Sequence, residues 1–251
     1  MRFASLGSGS GGNATLVDTG SGMLMIDCGF ALREVLRRMD QRGLDPAQLV
    51  AILVTHEHGD HSKGVGPLSR KYALPVYMTH GTFHGRNWGA LPELRLIRGY
   101  QSFVIGETLI NPVPVPHDAR EPAQFTFTRA GKKLGVLTDL GSITPHVVEA
   151  YRGCDGLLVE ANHDVQMLRE GPYPLSLQER VASNWGHLNN AQTLSFLTSL
   201  DLDCQQKIMV GHISQKNNSL ERAKAALAPI LAISNHINFA CQDYGFDWVD
   251  L

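Results

Sequence analysis

The sequence predicts a layered α/β fold formed by a single domain over residues 1–251, and three observations carry that expectation. Short apolar runs of strand length recur along the chain and are separated by glycine turns. Between them lie segments with helical spacing of apolar residues. Polar residues able to do chemistry stand where four of the apolar runs stop, which is how buried strands deliver side chains to one rim of a layered fold.

The first strands are RFASL, ATLVDTG and GMLMIDCG, with a hairpin turn expected at Gly20 to Gly22. ALREVLRRMDQRGL follows, and its Leu32, Val35, Leu36 and Met39 recur at helical spacing before Gly43. VAILVT is continuously apolar and predicts a strand buried on both faces. LPVYM, TLINPVPV, QFTFT, KLGVLTD, GLLVEAN and QKIMVG are further strands, while 144–152, 190–200 and 218–232 are helical. His117, Asp139, Glu160 and His212 fall at the ends of four strands. The Pro-rich GPYPLS at 171–176 is expected to be a turn before a helix.

Composition narrows the class of function. With 43% hydrophobic and 18% charged residues and no low-complexity run, the chain has the make-up of a compact soluble protein. Its formal charge of -2 gives no broad basic coat, so a phosphate-bearing substrate would have to be attracted locally. The small basic clusters at Arg33, Arg37, Arg38 and Arg42, at Arg70 and Lys71, and at Arg129, Lys132 and Lys133 are read as solvated faces. Cys28, Cys154, Cys204 and Cys241 show no C-x-x-C spacing, which argues against a thiolate zinc knuckle or a redox pair. The N-terminus has no signal-peptide pattern and no apolar stretch reaches membrane-spanning length, so a reducing cytoplasm is the expected setting.

The chemistry concentrates in VTHEHGDHSKG, residues 54–64. On a helix His56 and His58 would diverge, so they share a target only from extended backbone, where alternate residues point the same way. Asp60 and His61 then aim at a neighbouring point beyond Gly59. Nitrogen and carboxylate donors suit zinc, iron, manganese or cobalt. Two ions need more ligands than this segment holds, and the strand-end residues are the candidates, with Asp139 as a bridging carboxylate.

With its H-x-H-x-D-H at 56–61, the sequence resembles the metallo-β-lactamase superfamily, and the likeness continues through MIDCG, VPHDA, LTDLG and VGHIS in order. The resemblance implies an αββα sandwich of two mixed sheets flanked by helices. It implies one divalent ion on His56, His58 and His117, a second on Asp60, His61 and His212, and Asp139 between them. SLGSGSGGN, VEANHDVQMLREGPYP, GHLNN and GHISQKNN further resemble the YycJ-like (WalJ-like) branch, regarded as nucleases acting on DNA; GHLNN departs from it in having Asn189 in place of a serine.

The expected activity is therefore metal-dependent phosphodiester hydrolysis of a nucleic acid, most simply DNA. Small cyclic phosphates and glyoxalase II-type thioesters are the alternatives, and a purely structural metal site is the contrasting class. Asp60 and His187 are the candidate catalytic residues, His187 because it opens the helix at 190–200, where a helix N-terminus favours phosphate. Ser8, Ser10, Asn13, Asn162, His163 and Asn189 are the candidate substrate contacts. Asp27 is expected to orient the histidine loop through hydrogen bonds, Asp118 to support or shape its neighbourhood, and Trp88 and Trp185 to stack a base or pack in the core.

Overall fold

A computed structural model describes residues 1–200, 202, 206–232, 234 and 236–251; Cys204 lies outside the described residues. The described elements, in chain order, are β1 (Arg2–Gly7), β2 (Ala14–Asp18), β3 (Met23–Ile26), α1 (Leu32–Asp40), β4 (Leu49–Leu53), α2 (Gly59–Ser62), α3 (Val65–Tyr72), β5 (Pro75–Thr79), α4 (His80–His84), β6 (Glu93–Ile97) and β7 (Phe103–Ile105). There follow β8 (Thr108–Pro114), β9 (Ala123–Arg129), β10 (Lys132–Leu137), α5 (Pro145–Tyr151), β11 (Gly156–Glu160), α6 (Val165–Glu170), α7 (Leu175–Ala182), α8 (Asn190–Ser199), β12 (Lys207–Gly211), α9 (Leu220–Ala226), α10 (Ala228–Leu231), β13 (Ile237–Phe239) and β14 (Phe246–Asp250).

They build two seven-stranded sheets, ordered β14-β1-β2-β3-β4-β5-β6 and β13-β12-β11-β10-β9-β8-β7. Each sheet is antiparallel in one half and parallel in the other: β3, β4, β5 and β6 run parallel in the first, and β10, β11, β12 and β13 in the second. Period-two alternation sets the layers. Leu24 and Ile26 of β3 and Leu53 of β4 face the other sheet, where they meet Phe125, Phe127, Val136 and Leu158. Met25 and Ile52 point the opposite way and pack with Val35 and Met39 of α1 and Val65 and Leu68 of α3. On the far side Leu137, Val159 and Val210 pack with Val147, Tyr151, Phe196 and Leu227 from the helices on that face. This is the expected αββα sandwich of two mixed sheets.

Differences from the sequence reading have local causes. The expected helix at 218–232 is divided into α9 and α10, because Pro229 cannot donate to the preceding turn and the chain re-caps at Leu227. The strands β6, β7, β13 and β14 lie at or next to sheet edges and are half-exposed, so their sequences lack the continuous apolar runs of the central strands. GPYPLS contains the turn expected of it and also begins α7 at Leu175.

Parallel register brings the chemistry together. Val136 pairs with Leu158 and Leu158 with Met209, so β10, β11 and β12 end side by side and set Asp139, Glu160 and His212 along one rim. The end of β4 delivers residues 54–61 to the same rim from the other sheet.

Candidate metal centre

The histidine loop is fastened from below before any ligand is considered. Asp27, held at a φ of 59° just past β3, accepts hydrogen bonds from the Thr55 amide (2.8 Å), the Thr55 hydroxyl (2.8 Å) and His61 Nδ1 (2.8 Å). The Cys28 amide donates to the His61 carbonyl (2.7 Å) and the Asn13 amide to the Asp60 carbonyl (2.8 Å). Gly29 is required by this lacing, since a Cβ there would stand 1.7 Å from the Asp60 carbonyl oxygen. Beyond Gly59 the chain makes the short helical turn α2, and Ser62 Oγ donates back to the Glu57 and His58 carbonyls.

Three ring nitrogens then converge. His56 Nε2 lies 3.0 Å from His58 Nδ1, and His117 Nε2 lies 3.4 Å from the same atom. The outer nitrogens are committed elsewhere: His56 Nδ1 to the Thr55 hydroxyl (2.9 Å) and His117 Nδ1 to the Gly186 carbonyl (3.0 Å). Burial presses both His56 and His117 below the usual histidine range, so each offers an unprotonated ring. Such a fixed tautomer with its lone pair turned inward is the arrangement a metal-binding histidine needs.

Asp139 and its neighbours form the second half of the centre. Asp139 Oδ2 lies 3.1 Å from His61 Nε2, and Asp139 Oδ1 3.2 Å from His212 Nδ1. Because His61 donates Nδ1–H to Asp27, its Nε2 in the neutral ring is a lone pair facing a carboxylate oxygen. That oxygen is buried with no hydrogen-bond donor among the described residues. Two acceptors held in contact fit a cation shared between them, and three groups, His56–His58–His117, His56–His61–Asp139 and Asp139–Glu160–His187–His212, have ligand atoms close enough to hold one. Although burial opposes charge on His61, the Asp139, Asp60 and Asp27 carboxylates hold its ring well above the usual range; His212 is likewise raised to about 9, chiefly by Asp139 against the same burial. A proton there occupies the place a divalent ion would take. Asp60 lies at the edge of this arrangement, its Oδ2 3.6 Å from His61 Nε2, and lines the cleft above it. His212 adopts a φ of 50°, and such strain in a non-glycine residue persists where surrounding bonds over-determine it. The Ser8 hydroxyl, which accepts from the His212 amide (2.9 Å), is one of those bonds.

His187 stands beside the centre. Its Nδ1 lies 2.9 Å from Glu160 Oε2 and its other ring nitrogen is left to the cleft. Glu160 is fully buried at the end of β11, and its Oε1 accepts from the Leu140 amide (2.6 Å). Burial, reinforced by the Asp139 charge, drives the Glu160 carboxyl well above its usual range, while burial lowers His187 to about 4.

The cleft itself is lined by Ser10, His58, Asp60, Asp118, Asp139, His187 and His212, with Tyr173, Leu177, Arg180 and Val181 forming an outer wall. Among the six expected substrate contacts, only Ser10 lines it. The other five lie outside that lining. Ser8 is spent on the His212 amide, and Asn13 is buried against His61 Nε2 (3.0 Å) while bonding both polar backbone groups of Gly9. Asn162 is buried and donates to the His212 carbonyl (3.3 Å), His163 is buried with its Nδ1 lacking a hydrogen-bond partner among the described residues, and the Asn189 side chain caps α8 in a reciprocal box with Gln192. Trp88 is core, its Nε1 donating to the Phe83 carbonyl, whereas Trp185 is 60% exposed next to Gly186. Sequence reasoning counted Glu160 only among the strand-end ligand candidates and gave no role to Tyr173 or Arg180. Glu160 had a signal, an acid closing a strand that is otherwise wholly apolar; the other two lie on the wall made by the loop before α7 and by α7, where nothing in the spacing marked them.

Comparison with known proteins agrees with this geometry. A β-lactamase superfamily domain matches residues 23–213. The chain is 34% identical over 240 residues to exodeoxyribonuclease YycJ of Bacillus anthracis, covering 92% of this chain and 89% of that protein. It is 33% identical over 243 residues to exodeoxyribonuclease WalJ of Streptococcus pneumoniae serotype 2, with 92% and 88% covered. The metallo-β-lactamase fold protein YhfI of Bacillus subtilis superposes with a TM-score of 0.74 at 17% identity, over 99% of this chain and 98% of that one. A two-sheet sandwich with a histidine and aspartate cluster at its rim, a family model over residues 23–213 and relatives about one-third identical over 92% of the chain place this chain in the β-lactamase superfamily, in its YycJ/WalJ branch of metallo-β-lactamase-fold hydrolases.

Proposed function

We propose that this protein is a metal-dependent phosphodiesterase that cleaves DNA, using two divalent ions held at the rim by the seven side chains His56, His58, Asp60, His61, His117, Asp139 and His212. His56, His58 and His117 would hold one ion, Asp60, His61 and His212 the other, and the orphaned Asp139 carboxylate would serve both. Ions bound there supply Lewis acidity, lowering the pKa of water and neutralising charge on the phosphoryl oxygens. Zinc, manganese and iron all suit this donor set.

The chain's own residues do the rest. Asp60, on the first turn of α2 and open to the cleft, accepts a hydrogen bond from the attacking water and aims it at phosphorus. As the new P–O bond forms and the old one breaks, His187 gives its cleft-facing N–H proton to the departing alkoxide. Glu160, which burial holds protonated, donates to Nδ1, so the hydrogen of the neutral ring lies on the cleft-facing nitrogen, and the Glu160 proton passes to Nδ1 as that hydrogen leaves. Arg180, paired with Asp118 at the cleft wall, and Ser10 are placed to receive the substrate's remaining oxygens.

The single observation carrying this reading is the Glu160–His187 pair set beside the convergent histidines. A thioester releases a thiolate whose conjugate acid has a pKa near 8.5, which departs without a proton, whereas a sugar alkoxide needs one. The relatives named exodeoxyribonuclease support DNA as the polymer. We place the enzyme, as one domain, in a reducing cytoplasm: the described cysteines are free, burial pushes the Cys154 thiol up to about 12, and among the described residues no helix is long and apolar enough to cross a membrane.

The test is cleavage of end-labelled DNA with added Mn²⁺ or Zn²⁺. The expected result is metal-dependent shortening that the His58→Ala variant has lost. Intact DNA alongside turnover of a cyclic nucleotide or a glutathione thioester would reject the nuclease reading.

A further inference from the structure

A second lined depression adjoins α2. Asp60 of this helical turn faces the cleft, while Ser62 and the adjoining Lys63 face a groove completed by Gly66, Pro67 and Arg70 of α3 and by Arg86, Asn87, Trp88 and Gly89. No carboxylate lines this groove. Elsewhere on the surface, Arg2, Arg37, Arg95, Arg129, Lys132 and Arg222 each pair with an acid. Among the described residues no carboxylate pairs with Lys63, Arg70 or Arg86. Glu57, the acid of the neighbouring loop, turns Oε1 to the Arg120 amide (2.9 Å).

The cations are held in place by local structure. Arg70 Nη1 donates to the Trp88 carbonyl (3.2 Å) and the Ala90 carbonyl (3.1 Å), which fixes the guanidinium and leaves its other donors for a ligand. Arg86 donates to the Ser62 hydroxyl and lies over the Trp88 ring, 5.3 Å from its centroid. Gly66 lets α3 approach the 85–89 segment, since a Cβ there would meet the Trp88 carbonyl oxygen at 2.3 Å. Pre-oriented, uncompensated guanidinium groups on a protein of net charge -2 are the local attraction that a polyanion requires.

We infer that the groove lined by Lys63, Arg70 and Arg86 holds the sugar-phosphate backbone of the polynucleotide next to the bond being cut. The inference rests on the phosphodiesterase reading and extends it from a single scissile group to a strand with a defined path over α2. Lys63 follows Asp60 by three residues, about one helical turn or roughly 5 Å along the axis, so the groove begins close to where the substrate would leave the cleft. Backbone contacts of this kind position a strand without reading its sequence.

The test is fluorescence anisotropy on the full chain, with a labelled oligodeoxynucleotide joined by phosphorothioate linkages, titrated at several salt concentrations. Replacing Lys63, Arg70 and Arg86 together with Ala is expected to raise Kd at least about tenfold near 0.1 M salt, and to reduce the slope of log K against log salt by about 2 to 3. Lys63→Ala alone removes an exposed side chain, and is expected to reduce the slope by about 0.7 to 0.9 even if the triple variant does not fold. The control replaces Arg129, Lys132 and Lys133 with Ala, removing equal charge at the opposite ends of the strands, and is expected to change neither quantity. An unchanged slope in the Lys63 variant, or an equal loss in the control, overturns the groove. Hydrolysis of bis(p-nitrophenyl) phosphate, too small to reach from cleft to groove, is measured in parallel. Its absence from the wild type counts against the phosphodiesterase reading, while the binding data still decide the groove.

Discussion

Glu160 Oε2 and His187 Nδ1 lie 2.9 Å apart at the wall of the cleft, with the Glu160 carboxyl group fully buried and the imidazole open to the cleft on its far side. A general acid held in this way matters in proportion to the basicity of the group it helps to leave. His187→Ala is expected to lower kcat on an oligodeoxynucleotide by about 10² to 10⁴ and to cost less than about tenfold on bis(p-nitrophenyl) phosphate, whose p-nitrophenolate departs unprotonated. Glu160→Gln should show the same bias in weaker form. Equal losses on both substrates would instead assign His187 to binding. Steady-state kinetics on the two substrates, with metal content measured on each variant, decides the matter.

Chelation is expected to act on stability as well as activity. The rim gathers buried imidazoles and the orphaned Asp139 oxygen, a collection that exists only in the folded chain, so an ion bound there stabilises the native state alone. Dialysis against EDTA should lower Tm by several degrees, and adding Zn²⁺ or Mn²⁺ should restore it. His117→Ala, which removes one of the three converging nitrogens, should shrink that metal-dependent gain. Differential scanning calorimetry with and without metal reads it directly.

What could be read from the sequence follows from which signals are local. The layers were legible because short, continuously apolar runs such as VAILVT mark strands covered on both faces, and the polar residues ending four later strands gave the rim. His56, His58 and His61 stood out through spacing alone. Ser8, Asn13 and Asn189 have the same chemistry whether they face substrate or backbone, and only the fold shows that they bond to His212, His61 and Gln192. Tyr173 and Arg180 reach the cleft by tertiary packing of α7 and the loop before it, which no periodicity encodes.

Arg180 tests the outer wall. It donates to Asp118, whose other oxygen lies 3.5 Å from His117 Nε2 and 3.9 Å from His58 Nε2, so the guanidinium sits between solvent and these two histidines. Arg180→Ala is expected to raise KM for an oligodeoxynucleotide about five- to tenfold with a smaller change in kcat, the pattern of lost ground-state binding. A fall in kcat with KM unchanged would mean that Arg180 acts through Asp118 on the centre.

Glu34 supplies a pH prediction away from the metal site. Arg38, expected from the sequence on a solvated face, is instead largely buried: it stacks on Phe30 with its guanidinium 4.1 Å from the ring centroid, and donates to the Leu6 carbonyl and to Glu34 Oε1, each at 2.6 Å. Arg37 also donates to Glu34, and these bonds, led by that of Arg37, hold the Glu34 carboxyl down to about 2 from its ordinary 4.5. A depressed carboxyl contributes stability above its unfolded pKa and loses it as pH falls through the folded one. Glu34→Gln should therefore be less stable than the wild type at neutral pH, by about 1 to 2 kcal/mol if the charge-assisted bonds are lost. The gap should narrow from about pH 4.5 downward and close near pH 2, as followed by urea denaturation of both proteins across that range. A gap that stays constant with pH would show that the pair contributes through packing of the Arg38 stem rather than through charge.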